Sequence, residues 1–440
     1  MADMLRNTDL DDAIADATAR YIAANPKSQA QHQAACASLP GGNTRSVLWY
    51  EPFPVALTTG KGVYVTDLDG HSYTDFVSEY SAGLYGHSDP VIIAAIIDAV
   101  QNGVALGGPN TFEARLAEEL VSRFAALDRV RFCNSGTEAN IMAMSAARAI
   151  TGRDKVMVFH EGYHGGVLSF GHGGSVLNLP FPYVFADYND VEGTEALLLA
   201  NKDSISSVIL EQMLGSGGCI RATDAFLAML RRVTQEIGAL LIFDEVMTSR
   251  QHYNGMQAMT GVTPDLMTLG KYVGGGASFG AFGGRADLME RFNPTSAQAF
   301  GHGGTFNNNI ITMTAGYTGL TKVLTRDVSD RFNALGERLK VAMQDRLNAH
   351  GVAACTTGYG SLFNLHFLPS GQVTPAAVEA IDHRPSKLWH LEMLLANQYV
   401  TPRGMIALAL PHTPVETDHF LDVFDSFLTD YRSVLPQVAA

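Results

Sequence analysis

The stretch 240-LLIFDEVMTSRQHYNGMQAMTGVTPDLMTLGKYVGGGASFGAFGG-284 determines the architecture predicted for the chain. It opens with four apolar residues of β type, which stop at the acidic pair Asp244-Glu245. A second apolar run stops at Gly270-Lys271 and passes into glycines. Two buried strands that end in this way place an acid and an amine at the carboxyl edge of one sheet. In open α/β sheets that edge is where ligands bind.

Helix-like and strand-like segments alternate around this stretch from about residue 110, as a mostly parallel sheet requires. The strands predicted there are 130–133, 155–159 and 207–210, and the helices are 111–125, 137–150 and 223–236. Beyond residues 305–309 the pattern predicts a long helix, followed by helix 327–349, strand 361–367 and helix 416–432. Nearer the N-terminus, 54–57 and 62–65 are predicted as short strands and 67–71 as a turn.

Composition excludes several classes of protein. With 46% hydrophobic and 17% charged residues, the chain can bury a large core. Its formal charge of −14 disfavours nucleic acids and anionic membranes as partners. The four cysteines have no CxxC spacing, which argues against disulfide and zinc frameworks. The acidic start lacks the apolar core of a signal peptide, and no apolar run is long enough for a membrane span, so we expect a cytoplasmic protein.

The acid and the amine together match the needs of pyridoxal 5′-phosphate. That cofactor requires a lysine for a Schiff base and an acid beside its pyridine nitrogen. A lysine that merely surfaces at a strand end is the alternative for Lys271, because lysine is among the residues least often buried. Gly270 and the run Gly274-Gly275-Gly276 leave room for a ligand to approach the backbone closely, which favours a reactive lysine.

Other motifs fall at the same predicted edge. Ser135-Gly136-Thr137 stands where a strand passes into a helix and is a candidate phosphate cradle, although the two hydroxyls could simply cap the helix. Tyr163 follows strand 155–159 and could stack on a flat ring.

Nucleotide-binding classes do not fit the sequence. The acidic strand end also occurs in P-loop ATPases, but the GxxxxGK[ST] loop is missing, and no G-x-G-x-x-G follows a strand. No metal site is predicted, because no acidic residue or cysteine stands at ligand spacing from the three histidines of this region, His160, His164 and His172.

Five motifs occur in order: Asn134-Ser-Gly-Thr-Glu-Ala, Tyr163-His-Gly-Gly, Phe243-Asp-Glu-Val-Met-Thr, Leu269-Gly-Lys and Gly304-Thr-Phe. From about residue 41 to 410 the chain resembles the class III (subgroup II) aminotransferases, pyridoxal-phosphate enzymes of fold type I. The resemblance implies an α/β large domain over 76–325, with a mostly parallel sheet of the seven-stranded type. It also implies a smaller α+β domain built from both termini, 1–75 and 326–440.

The family implies a role for each matching residue. Lys271 holds the cofactor as a Schiff base and, once the substrate releases it, moves a proton between the substrate carbon and the cofactor. Asp244 pairs with the protonated pyridine nitrogen, and Tyr163 and Val246 sandwich the ring. Glu211 lies near the O3′ side of the ring and supports catalysis.

The phosphate contacts come from the same resemblance. Ser135, Gly136 and Thr137 hold the phosphate within one subunit. Thr305 reaches the phosphate of the neighbouring subunit, so the resemblance implies a homodimer as the minimal active unit.

Within the class, the chain is similar to the branch of glutamate-1-semialdehyde aminomutase and β-amino-acid transaminases. Stretches 41–46, 244–250 and 304–309 favour the β-amino-acid side. Two positions depart from the family. Gln212 stands where proline is usual, and Ser216 stands where the aminomutases usually carry asparagine, which weakens the mutase interpretation.

Two loop arginines, Arg45 and Arg403, can each grip a carboxylate bidentately, although either could be a solvated surface charge. Two carboxylate-binding arginines suit a transaminase that accepts a β-amino acid and a keto acid such as 2-oxoglutarate or pyruvate in ping-pong order. The alternatives are a 2,1-aminomutase of the glutamate-1-semialdehyde type, a broad ω-amine transaminase, and a non-catalytic protein that binds the cofactor.

Overall fold

The structure is a computed structural model that describes residues 9–171 and 173–438. Helices and strands in these two ranges are numbered in chain order. The helices are α1 (Leu10–Ala24), α2 (Pro26–Ala35), α3 (Pro90–Val100), α4 (Thr111–Arg123), α5 (Gly136–Thr151), α6 (Val191–Ala200), α7 (Asp224–Ile237), α8 (Gln257–Thr260), α9 (Ala286–Met289), α10 (Ile310–Thr318), α11 (Arg326–His350), α12 (Pro375–Ala380), α13 (Arg384–Leu395) and α14 (Pro414–Asp430). The strands are β1 (Leu57–Lys61), β2 (Tyr64–Asp67), β3 (Ser72–Asp75), β4 (Arg129–Cys133), β5 (Lys155–Phe159), β6 (Tyr183–Ala186), β7 (Ile205–Leu210), β8 (Leu240–Asp244), β9 (Leu266–Gly270), β10 (Gly280–Gly284), β11 (Cys355–Tyr359), β12 (Leu362–His366), β13 (Gln398–Tyr399) and β14 (Met405–Ala407).

The chain separates into two compact units. Unit 2 is formed by Ser81–Tyr85 and Pro90–Asn333, and the smaller unit 1 by the described parts of Met1–Tyr80 and Ala334–Ala440 together with Gly86–Asp89. The domain boundaries predicted at 75 and 326 lie a few residues before these divisions and stay predictions. No helix within the two described ranges is long and apolar enough to cross a membrane.

Unit 2 is built on a seven-stranded sheet with the strand order β4-β10-β9-β8-β7-β5-β6. The neighbouring strands from β9 to β6 are parallel to one another. β10 is antiparallel to both of its neighbours, β4 and β9, so β4 runs in the same direction as the parallel strands. The predicted α/β fold with a mostly parallel seven-stranded sheet is confirmed.

Strand β8 is buried along its whole length, and its side chains alternate between two hydrophobic cores. Leu240 and Ile242 pack with α5 in one core, whereas Leu241 and Phe243 pack with α7 in the other. Burying each of these side chains contributes roughly 1.5–3 kcal/mol. A shift of the strand by one residue would exchange the two sets of side chains, so the register that brings Asp244 to the sheet edge is strongly determined.

Two strands of this sheet, β6 and β10, are absent from the strands predicted from sequence. β10 reads Gly-Ala-Phe-Gly-Gly, a composition that is depleted in strands. A Cβ at Gly280 would lie 2.0 Å from the carbonyl oxygen of Ser135, and a Cβ at Gly284 would lie 2.2 Å from that of Asp265. The glycines of β10 are therefore required by the close approach of neighbouring backbone.

Unit 1 holds two sheets, β1-β2-β3-β13 and β11-β12-β14. β13 pairs in parallel with β3, so segments from both ends of the chain share one sheet. The strand predicted at 54–57 is wrong, because β1 begins only at Leu57 and Pro54 has no N–H to give to a strand pair. The long helix predicted after residue 309 is also interrupted, since α10 ends at Thr318 and a π turn, Gly319–Val323, follows.

Candidate active site

Six strands of unit 2 run in the same direction and end at one edge of the sheet. A residue predicted to be functional ends or follows five of them. Asp244 is the last residue of β8, and Glu211 and Lys271 come directly after β7 and β9. Ser135 follows β4 and Tyr163 follows β5 in the loops at the same edge. The predicted placement of these side chains at the carboxyl edge of the sheet agrees with the observed topology.

Asp244 is held by several neighbours and is only 3% exposed. Its Oδ2 accepts a hydrogen bond from Nδ2 of Asn140 at 2.8 Å and lies 2.7 Å from Nδ1 of His164. Its Oδ1 accepts from the backbone N–H of Val246 at 3.0 Å. Thr268 donates to Oδ1 of Asn140 at 2.7 Å and so fixes the orientation of that amide. The result is an oriented, buried acceptor for a cationic N–H group.

The N-terminus of α5 lies at the same edge. Ser135 is its N-cap, and the Ser135 hydroxyl accepts from the backbone N–H of Glu138 at 3.1 Å, so the capping interpretation of Ser135 holds for its side chain. Gly136 and Thr137 occupy the first turn, where backbone N–H groups have no acceptor within the helix. Together with the helix dipole, these groups form an end that favours anions.

Three glycines lie where the segments of the candidate site pack against one another. A Cβ on Gly136 would come within 2.7 Å of Cγ1 of Val246, and a Cβ on Gly270 would come within 3.0 Å of the same atom. A Cβ on Gly165 would lie 2.2 Å from Oγ1 of Thr137. Four backbone segments therefore pack in direct contact, with no space for an added methyl group. They are the start of α5, the loop after β8, the residue before Lys271 and the loop after β5.

Lys271 is held in an uncommon conformation. Its φ of 51° falls in the left-handed region, which non-glycine residues seldom occupy. Its side chain is half-buried, and Nζ donates to the hydroxyl oxygen of Ser81 at 3.2 Å. Backbone of this kind costs on the order of 1–3 kcal/mol and persists where the surrounding structure imposes it. Strained backbone of this kind is typical of functional sites, which favours the prediction of a reactive lysine over a lysine that simply surfaces at a strand end.

Glu211 is almost fully buried and links two loops. Its Oε2 accepts from the backbone N–H of Tyr163 at 3.1 Å, and its Oε1 accepts from that of Gly215 at 2.9 Å. The pKa of Glu211 is raised to about 7, mainly because of burial; His164 acts against this increase and the charge of Asp244 contributes to it. The Tyr163 side chain is 45% exposed, so its ring is accessible to a ligand.

Thr305 lies in the loop 304–309, in which residues 304–306 are exposed and residues 307–309 are half-buried. The loop is tied to the start of α5 because Oδ1 of Asn307 accepts from Nδ2 of Asn134 at 2.9 Å. Asn308 anchors the loop a second time through a hydrogen bond to Glu113 on α4. Thr305 also lines a cavity of about 370 Å³ together with the segment 104–110.

Arg45 and Arg403 belong to unit 1, where both act on one tyrosine. Arg45 forms an ion pair with Glu79, and its guanidinium lies 5.6 Å from the centre of the Tyr80 ring. Burial raises the pKa of Tyr80 to about 12, while the charges of Arg403 and Arg45 act in the opposite direction. Neither arginine is an isolated surface charge, and each lies close enough to Tyr80 to influence it electrostatically.

Sequence reasoning missed Asn140 as a partner of Asp244, and it considered His164 only as a metal ligand. The available signals were a polar residue on the apolar face of α5 and the position of His164 beside Tyr163. Of the other two histidines, His160 stacks on Phe185, and His172 lies outside the described residues.

These groups fit the pyridoxal phosphate that the sequence predicts. The amine of Lys271 suits the aldehyde of that cofactor, and the buried carboxylate of Asp244 suits its protonated ring nitrogen. The end of α5 suits the phosphate, since it offers backbone N–H groups and has Gly136 in its first turn. A side chain at position 136 would collide with Val246, so glycine keeps this surface open.

Comparison with known proteins agrees with this chemistry. The family model for aminotransferase class-III matches residues 47–386. The beta-phenylalanine transaminase of Variovorax paradoxus is 44% identical over 428 residues, which cover 97% of this chain and 98% of that protein. A crystal structure of beta-phenylalanine aminotransferase from Variovorax paradoxus covers 98% of this chain and 100% of its own, with a TM-score of 0.96 at 44% identity. Glutamate-1-semialdehyde 2,1-aminomutase 1 of Listeria innocua is 33% identical over 91% of this chain and 97% of that protein.

Proposed function

We propose that this chain, which belongs to the class-III aminotransferase family and therefore depends on pyridoxal phosphate, moves the amino group of a β-amino acid to a keto acid. The observation that carries the choice of donor is the 44% identity, over 97% of the chain, with a beta-phenylalanine transaminase. The acceptor in this proposal is a keto acid such as 2-oxoglutarate or pyruvate, and the two half-reactions follow one another in ping-pong order.

Each candidate residue has a role in the proposal. When bound, pyridoxal phosphate supplies an aldehyde for the amine and a cationic ring that accepts an electron pair. Lys271 carries the cofactor and, when free, moves a proton at its Nζ. Asp244 keeps the ring nitrogen protonated, and Glu211 is a supporting acid on the O3′ side. Tyr163 and Val246 cover the two faces of the ring.

The phosphate is assigned to the start of α5. The backbone N–H groups of Gly136 and Thr137 in α5, preceded by Ser135, provide neutral donors, and the start of the helix is the positive end of its dipole. A second contact comes from Thr305 of the neighbouring subunit in a homodimer. A group of exposed apolar side chains supports such a dimer, because contiguous apolar surface marks interaction sites, and three of its members line one cavity with Thr305. The group consists of Val91, Ile93 and Ile97 of α3 together with Val104, Leu106 and Phe306.

Removing the Thr305 hydroxyl tests whether this residue contacts the phosphate of the cofactor bound to the neighbouring subunit. Thr305→Val is expected to raise the dissociation constant of pyridoxal phosphate roughly 10- to 100-fold, because a hydrogen bond to a charged group contributes about 1.5–3 kcal/mol. Equilibrium titration of the apoenzyme, followed by absorbance, measures this constant. The dimer mass in analytical ultracentrifugation is expected to stay the same.

A mixed dimer gives the decisive control for Thr305. A dimer that joins one Thr305→Val subunit to one Lys271→Ala subunit keeps one complete site if the hydroxyl acts on the partner. That mixed dimer is expected to bind one cofactor with wild-type affinity. Weak binding at both sites would instead place the hydroxyl in its own subunit.

Arg45 and Arg403 are proposed to bind the carboxylates of the two substrates. Arg403→Ala is expected to raise KM for 2-oxoglutarate roughly 10- to 100-fold, as the loss of a charged hydrogen-bonded pair predicts, and to change KM for pyruvate much less. Steady-state kinetics with each acceptor measures the difference. Arg384→Ala, which removes an exposed arginine paired with Asp382, is the matched control. Equal changes for the two acceptors would contradict the role of Arg403.

A donor panel tests the proposed function directly. β-Phenylalanine and other β-amino acids with 2-oxoglutarate or pyruvate are expected to give the highest kcat/KM, and α-amino acids and simple ω-amines much lower values. An enzyme that turns over ω-amines equally well would instead be a broad ω-amine transaminase.

An aminomutase is the second candidate, because the Listeria innocua aminomutase is 33% identical over most of its length. The two functions differ when no keto acid is added. A transaminase stops after one half-reaction, whereas a mutase continues with its single substrate. We also propose a cytoplasmic location, which is consistent with the four cysteines being free thiols.

A further inference from the structure

Ser81 belongs to an unusual left-handed turn. The four successive residues Ser78, Glu79, Tyr80 and Ser81 have φ values of 45°, 51°, 51° and 74°, and none of them is glycine. Left-handed backbone costs roughly 1–2 kcal/mol for each residue with a side chain, so the rest of the protein must hold this turn in place. Strained segments of this kind cluster at functional sites.

The Ser81 side chain is directed to Lys271. Ser81 is fully buried, with no exposed surface, and its hydroxyl oxygen lies 3.2 Å from Nζ of Lys271. Both residues have a positive φ, 74° for Ser81 and 51° for Lys271. Two residues in costly backbone conformations therefore meet at a single hydrogen bond.

A buried arginine fixes the backbone of Ser81. NH1 of Arg250 donates to the carbonyl oxygen of Ser81 at 3.2 Å. The guanidinium also lies 5.3 Å from the centre of the Phe332 ring, and the backbone carbonyl of Arg250 accepts from Nδ2 of Asn333 at 3.2 Å. Only 2% of Arg250 is exposed, although an arginine is seldom buried. Arg250 therefore acts as an internal clamp on the turn.

We propose that Ser81 is a further catalytic residue, whose hydroxyl orients the amine of Lys271 during proton transfer; this inference rests on the proposed role of Lys271. In that step a C–H bond of the substrate would break, a new N–H bond would form at Nζ, and pyridoxal phosphate, when bound, would accept the electron pair left on the carbon. An amine that donates one N–H to a hydroxyl oxygen keeps its lone pair free for the incoming proton. The ammonium that results keeps the same acceptor, and its hydrogen bond becomes charge-assisted.

The test compares two hydroxyls of the same turn. Ser81→Ala removes the contact with Lys271, and Ser78→Ala removes a hydroxyl that donates instead to the carbonyl of Ala407 at 2.8 Å. Ser81→Gly is the second variant in case Ser81→Ala does not fold, because glycine adopts a φ of 74° without strain. The readouts are kcat and KM, and the isotope effect for a donor deuterated at its amino-bearing carbon. The rate at which the apoenzyme captures pyridoxal phosphate, followed by absorbance, is a readout that needs no turnover.

We expect Ser81→Ala to lower kcat roughly tenfold with KM nearly unchanged, as the loss of one hydrogen bond to a charged group predicts. The isotope effect is expected to rise and cofactor capture to slow, whereas Ser78→Ala changes neither. The inference is overturned if kcat of the Ser81 variants stays within twofold of wild type, or if Ser78→Ala reproduces their effects. Borohydride reduction of the wild type separates this from failure of the proposed function, because a label on any residue other than Lys271 overturns both.

Discussion

Lys271→Ala is expected to abolish the yellow colour of the cofactor-loaded enzyme and to lower kcat by on the order of 10⁴-fold or more. In the proposed function the amine is both the attachment point of the cofactor and the base that moves the proton, and a methyl group replaces neither function. The fold is expected to persist, because the Lys271 side chain is only half-buried and lies outside the two hydrophobic cores of the sheet. Absorbance spectra and steady-state rates measure the effect, and ultracentrifugation reports whether the assembly state of the variant equals that of the wild type.

Lys155→Ala is the matched control for this experiment. Lys155 is also half-buried, but it begins β5 and therefore lies at the opposite edge of the same sheet, where Nζ donates to Asn201 at 2.8 Å. This variant should keep the colour and most of the turnover. Peptide mapping after borohydride reduction of the wild type supplies the independent check. If Lys271→Ala retained substantial turnover, the assignment of the reactive amine would be wrong.

Asp244→Asn is expected to lower kcat roughly 10²- to 10³-fold, because a neutral amide no longer favours the protonated ring nitrogen. The substitution also leaves one donor without an acceptor. The new amide nitrogen must face either Asn140 or the N–H of Val246, and a buried donor without a partner costs about 1–3 kcal/mol. Thermal unfolding measures that loss separately from the change in rate.

Asp244→Asn has a second expected effect, on pH dependence. Burial is the main cause that raises the pKa of Glu211 to about 7, and the charge of Asp244 raises it further. Removing that charge lowers the pKa of Glu211, so any rate limb that depends on Glu211 should move to lower pH. Glu245→Gln is the matched control, since this neighbouring buried carboxyl accepts from the backbone of Met256 and Gln257. If the control lost as much rate as Asp244→Asn, general disruption of the loop would explain both.

The residues at the strand ends could be predicted because their chemistry contrasts with their surroundings. An acid or an amine after several apolar β residues is easy to recognise, and parallel strands bring such ends to one edge. Asp244 and Lys271 were found in this way. The family motifs then added the candidates whose local sequence is less distinctive, such as Val246 and Thr305.

The partners of these residues could not be predicted, since they depend on long-range packing. Asn140 meets Asp244 from a helix 104 residues earlier in the chain, and Ser81 meets Lys271 from 190 residues earlier. Neither contact leaves a local pattern. The sequence does not indicate β10 for a different reason: its glycines are required by the close approach of neighbouring backbone carbonyl oxygens, not by the residue preferences of β structure.

The glycine composition of β10 has a consequence for directed evolution of the enzyme. Positions 280, 283 and 284 have carbonyl oxygens within 2.3 Å of where a Cβ would stand, so side-chain diversity introduced there should reduce soluble expression. Gly276 and Gly301 have open space instead, although Gly276 has a left-handed φ. Side-chain diversity at a glycine is therefore better tolerated at Gly301 than in β10. Soluble yield would then separate clones that fail to fold from clones that fold but have lost the yellow colour of the bound cofactor.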